Sequence, residues 1–137
     1  MPQLEHETTI GAPAPEVWRA LTTVEGLRGW QTPGATGDGV AWAFAYAGHP
    51  SFTWRVDEQS APERLVWTCT DGPGTAPGTT ALFRLTELPD GRTRVEVVHG
   101  GWPADATAAA RCNTLWGALL HALTRYAETG APAPAFD

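Results

Sequence analysis

Two histidines and a tyrosine are the residues of this chain best suited to moving protons. His6, His99 and Tyr46 each fall on the inward line of an alternating stretch. An imidazole near an apolar pocket can serve as general acid or base, because its ordinary pKa of about 6.5 is easily displaced. If the protein is an enzyme, these three are its acid–base groups. The competing account has His99 hydrogen-bonded to backbone, holding the turn that the neighbouring Gly100-Gly101 allows, and it is the better one for a single histidine. Other catalytic chemistry finds no foothold. The four His and two Cys are dispersed without the close spacings of zinc sites, and the two serines, Ser51 and Ser60, are not flanked by glycines. Gly34, Gly37 and Gly39 precede a strand rather than a helix and so read as loop, not as a phosphate cradle. No metal and no cofactor is expected.

Recognition of a ligand is the second chemistry on offer. Trp42, Phe44, Tyr46, Trp54, Trp67 and Phe83 stand on the bulky lines of successive strands, and Trp116 and Leu119 stand on the apolar face of the last helix. Any one of these rings is best explained as filling space. The set points to a pocket of roughly 300 to 1,000 Å³ suited to a flat hydrophobic or aromatic molecule, because a closed core would have to satisfy several Tyr and Trp donors at once. Cys69 and Cys112 can both face this space as small buried hydrophobes.

These residues must be placed by a small number of elements. From about Asp105 to Thr129 the residues Ala108, Cys112, Leu115, Trp116, Leu119, Leu120, Leu123, Tyr126 and Ala127 share one arc of roughly 140°. The opposite side carries Thr114, His121, Arg125 and Glu128, which makes this an amphipathic helix. Asp105 is its expected N-cap, Gly130 its C′ residue, and Pro132 and Pro134 prevent continuation. Such a helix is roughly 35 Å long and needs a large apolar surface beneath it. Six alternating stretches supply one: 3–10, 40–47, 52–57, 65–69, 81–86 and 94–99. Two short helices, 16–22 and 24–30, follow the first strand, the second capped by Thr22 or Thr23 and weakened by Gly26 and Gly29. Residues 32–39 and 71–78 read as loops, Gly48-His49-Pro50 as a turn, and 131–137 as a disordered tail. Short connections imply an antiparallel meander with the long helix across one face. The fold class is α+β, a single domain over 1–130.

Composition limits the partners. The chain has 137 residues, a net charge of −6, and nine positive charges that are all Arg. Without a basic cluster there is nothing to hold nucleic acid or an anionic membrane, and without Lys there is no Schiff base. No run approaches a membrane span, no signal peptide precedes Gln3, and two Cys form no disulfide framework, so a reduced, cytoplasmic protein is expected.

The runs PAPEVWRALTTVEGLRGW (13–30), APERLVWTCTDGPG (61–74), HGGW (99–102) and CNTLWGALLHALTRYAETG (112–130) resemble bacterial proteins related to the activator of the heat-shock-protein-90 ATPase. Those belong to the START-like, polyketide-cyclase-like superfamily called SRPBCC. The resemblance covers nearly the whole chain. It implies a helix-grip fold: a curved antiparallel sheet around the C-terminal helix, a deep apolar cavity between them, and a mouth near the short helices. It would set the strands of His6 and His99 side by side, and Arg28, Trp30 and Trp102 at the mouth, where an Arg could select an anionic ligand. Members of the superfamily bind lipids, hormones or polyketides, and some cyclise or dehydrate polyketides. Three functions are therefore open. One is binding of a hydrophobic small molecule without turnover by a monomer or homodimer; the others are a cyclase or dehydratase using cavity His and Tyr, and a chaperone-accessory protein.

Overall fold

The computed structural model describes residues 3–103 and 108–136. Its elements are β1 (Leu4–Ile10), α1 (Ala14–Thr22), α2 (Val24–Trp30), β2 (Gly34–Gly37), β3 (Ala41–Tyr46), β4 (His49–Ser60), β5 (Arg64–Asp71), β6 (Thr80–Glu87), β7 (Thr93–Gly100) and α3 (Ala108–Thr129). The strands form one antiparallel sheet in the order β1-β7-β6-β5-β4-β3-β2. The meander expected from the short connections is therefore present, with β1 closing onto β7 from the other end of the chain.

Alternation decides which side of each strand is dry. Trp42 and Phe44, Leu65, Trp67 and Cys69, Ala81, Phe83 and Leu85, and Val95, Val97 and His99 are buried, and they face Cys112, Trp116, Leu119, Leu120 and Leu123 of α3. Thr114, His121, Arg125 and Glu128 lie on the exposed side of that helix. Register irregularities between Phe44 and Tyr46 on β3, and between Val56 and Glu58 on β4, bend the sheet, as an extra residue in a ladder does. Thr23 caps α2, accepting from the Gly26 N–H at 3.0 Å, and Gly130 ends α3 at φ 73° with its N–H on the Tyr126 carbonyl. The N-cap assigned to Asp105 falls outside the described residues.

Four features differ from the sequence reading. The sheet has seven strands rather than six, because residues 34–37 pair with β3 as an edge strand. Gly34 lies so close to the Ala45 carbonyl that a side chain there would collide with it, so glycine serves close approach and not loop flexibility. Val40, expected on the bulky inner line, is 66% exposed and precedes β3. The turn into β4 is tighter than Gly48-His49-Pro50: Tyr46 pairs with His49, leaving Ala47 and Gly48 to reverse the chain with Gly48 at φ 75°.

The fourth difference is the tail. Residues 131–136, expected to be disordered, run back along α2, where the N–H groups of Ala133, Ala135 and Phe136 donate to the carbonyls of Gly29, Trp30 and Gln31. A helix leaves its last carbonyls without partners, and the segment APAPAF supplies donors to them. Its prolines hold an extended backbone.

Candidate functional site

A cavity of about 630 Å³ lies between the sheet and α3. Trp54 on β4 and Trp67 on β5 form its floor, Cys112, Leu115, Trp116 and Leu119 its helical wall, and Gln31, Tyr46, Phe52 and Phe136 the side nearest α2. Pro50, Gly74 and Arg111 also line it and are exposed, so the cavity opens to solvent among them. The aromatic rings form a continuous series. Centroids lie 5.5 Å apart for Phe136 and Tyr46, 6.2 Å for Tyr46 and Phe52, 6.4 Å for the stacked Phe52 and Trp54, and 6.0 Å for Trp54 and Trp67. Behind this wall Phe83 links Trp67, at 4.8 Å, to Trp116, at 5.8 Å. Edge-on and offset contacts of this kind stabilise beyond the area they bury, which keeps the wall from collapsing into the space in front of it.

His99 is at the inner end. Trp116 Nε1–H donates to its Nδ1 at 3.0 Å, and its Nε2 lies 2.8 Å from Thr79 Oγ1. An indole nitrogen can only donate, so Nδ1 carries no proton and Nε2 carries one and donates it to Thr79. The Thr79 hydroxyl in turn donates to the Ala76 carbonyl at 2.6 Å. Burial lowers the His99 pKa to about 4, so the ring is neutral at physiological pH. The partners are two side chains rather than the backbone expected from the sequence.

Tyr46 donates its phenol proton to Gln31 Oε1 at 2.7 Å, and burial moves its pKa well above the ordinary value of 10. Burial also raises both thiols, Cys69 to about 11. Near neutrality, then, all four groups hold their neutral forms.

Of the residues singled out from the sequence, the cavity brings together Tyr46, Trp54, Trp67, His99, Cys112, Trp116 and Leu119. Trp42, Phe44, Cys69 and Phe83 are core residues behind the wall. Trp30 and Trp102 are fully buried and line no part of the cavity: Trp30 Nε1–H donates to the Ala20 carbonyl at 2.7 Å, joining α2 to α1, and Trp102 packs on His99 at 4.7 Å. His6 pairs with Val97 on the adjacent strand, as expected, but it lines a separate shallow depression with Glu5, Glu7 and Glu96. Arg28 is turned away, its Nε donating to the Ala35 carbonyl at 2.8 Å. The cationic residue at the mouth is Arg111. Sequence reasoning also missed Gln31, Phe52 and Phe136 as lining residues. Phe52 was visible as a strand residue on the same line as Trp54, and Phe136 as the one large apolar residue of the tail.

A curved antiparallel sheet gripping a long C-terminal helix, with an aromatic-walled cavity between them, defines a helix-grip protein of the SRPBCC type. The chain belongs to the family described as activator of Hsp90 ATPase homolog 1-like protein, whose model matches residues 11–128. Among solved structures it is similar to the Aha1 dimer from Colwellia psychrerythraea, at 27% identity over 95% of this chain and 98% of that one, with a TM-score of 0.85. It is also similar in fold to DynU16, a protein of the dynemicin biosynthetic locus, at 21% identity over 98% of this chain and 49% of that one, with a TM-score of 0.75. A third similar fold is MLL2253 from Mesorhizobium loti, at 20% identity over 90% of this chain and 95% of that one, with a TM-score of 0.78. No curated protein matches the chain.

Proposed function

We propose that this protein binds one hydrophobic or aromatic small molecule in the cavity between its sheet and α3, and releases it unchanged. The observation that carries this reading is the 630 Å³ space itself, bounded by ordered rings and open at Arg111, Pro50 and Gly74. That volume lies within the range typical of ligand pockets. The hydrogen-bonding of the polar groups speaks for binding over turnover. Both nitrogens of His99 are engaged, and the Tyr46 phenol holds its proton against Gln31. A general acid or base needs a pKa near the working pH and a free position to exchange the proton, and neither group has both. We read the protein as a monomer or homodimer, the Colwellia neighbour being described as a dimer, and as cytoplasmic, which suits two buried free thiols.

Tryptophan fluorescence titration against a panel of aliphatic and aromatic compounds tests this. Saturable 1:1 quenching by at least one compound class is expected, and Leu115→Trp, which fills the helical wall, abolishes it. A panel without a single saturable quench overturns the reading.

A further inference from the structure

The polar lining of the cavity is one-sided. Among the described residues no Asp or Glu lines it, and Arg111 is the one charged residue that does. Among the described residues the ion pairs are Arg19–Glu16, Arg55–Asp57, Arg64–Glu58, Arg92–Asp90 and Arg94–Glu96, so Arg111 has no acidic partner there. Gln31, 3% exposed and also lining the cavity, accepts from Tyr46 through Oε1, while its amide N–H groups have no partner among the described residues. The conclusion survives reversal of that amide. With nitrogen and oxygen exchanged, Gln31 would donate to the phenol oxygen, and the phenol O–H would be the free donor instead. Either way the Tyr46–Gln31 pair offers the cavity a hydrogen-bond donor. The acceptor position of His99 is filled by Trp116. What the described side chains present to a ligand is therefore aromatic surface, N–H or O–H donors, and one cation.

Resting on the binding function proposed above, we propose that Arg111 makes this cavity selective for aromatic acids: flat ring systems carrying a carboxylate or another ionised oxygen acid. The rings lie against Phe52, Trp54, Trp67 and Trp116, and the acid group meets the guanidinium at the mouth. A guanidinium suits this because its planar fork matches a carboxylate with two parallel hydrogen bonds. The net charge of −6 repels anions from the molecule as a whole, so a preference for the anion must come from a local cation.

Three probes of one shape separate the effect of charge from that of ring size: anthracene-2-carboxylate, anthracene-2-carboxamide and 2-(aminomethyl)anthracene. In fluorescence titrations of the whole chain the carboxylate is expected to bind at least about tenfold tighter than the carboxamide, a difference of about 1.4 kcal/mol, with the amine weakest. Arg111→Gln brings carboxylate and carboxamide within about twofold by weakening the carboxylate, while Arg111→Lys retains part of the preference. Arg111 is exposed, so both variants fold, which circular dichroism verifies. Equal binding of carboxylate and carboxamide by the natural chain, or an acid preference that persists in Arg111→Gln, overturns the proposal while leaving a ligand-binding cavity intact. Silence from all three probes overturns the proposal, and silence from the compound panel as well overturns the binding function beneath it.

Discussion

Protonating His99 in the folded protein breaks the bond from the Trp116 indole, since Nδ1 cannot both accept that hydrogen and carry its own. The cost sets a pH dependence whose sign follows from linkage. The unfolded chain takes a proton at His99 near 6.5, and the folded chain only near 4. Between those values the unfolded state binds more protons, so stability is complete above about pH 6.5 and declines as the pH falls toward 4. The size is about 2 to 3 kcal/mol. Asp38, Asp57 and Asp90, with pKa values lowered below 3.8 by hydrogen bonds or a neighbouring Arg, add their own losses only at lower pH. Urea denaturation midpoints at pH 7, 6, 5 and 4.5 are expected to fall steadily in the natural chain and to stay nearly level over that range in His99→Asn. An equal slope in both assigns the effect elsewhere. The inward placement of His99 could be read from the alternation of β7. Its partners could not, because Thr79 lies in a loop twenty residues earlier and Trp116 on another element.

Helix α2 shows where reading by propensity stops. Gly26 and Gly29 weaken it as an isolated helix, and the sequence gives no further reason for them. In the fold a Cβ at Gly26 would press on the backbone of Ala20, and one at Gly29 would overlap the ring of Tyr126 on α3. Both glycines exist to let helices touch, and nothing local in the sequence records the partner. Gly29→Ala is expected to destabilise the protein by about 1 to 2 kcal/mol, overpacking outweighing the usual helical gain of alanine. Gly29→Ala combined with Tyr126→Leu should recover part of that loss. An unchanged midpoint for Gly29→Ala in urea denaturation would sink the argument. The boundaries of α2 and the interior of α3 were legible because their apolar spacing and caps are local signals. Edge strand β2 was not, since its four residues, GATG, carry none of the bulky alternation that marks a strand.

For the molecule as a whole, the tail decides how far the cavity is enclosed. Three N–H donors anchor it to the end of α2, and Phe136 meets Tyr46 edge-on at the cavity wall. Removing residues 131–136 exposes the last carbonyls of α2 to water and takes one ring from the wall. A stability loss of about 1 to 3 kcal/mol is expected from the hydrogen bonds, with stronger binding of an apolar dye such as ANS to the widened opening. If neither the melting temperature nor dye binding changes, the tail is dispensable to the cavity. The overall architecture was readable from the order of elements and from the resemblance of four sequence runs. The opening was not, because Pro50, Gly74 and Arg111 come from three separate parts of the chain that only the folded sheet brings together.

The pairing of β1 with β7 also governs how the protein must come into being. Leu4 lies opposite His99, and among the described residues β1 has no other strand beside it. On a ribosome the first strand therefore emerges long before the only strand that can receive it, while β2 to β6 can pair with neighbours as they appear. Residues 4–10 are therefore among the last of the sheet to be secured, and bringing in so distant a partner favours slow folding over fast. Until β7 arrives, Leu4 to Ile10 is an unpaired β-prone segment, and a chain interrupted before residue 93 would leave it available to other proteins.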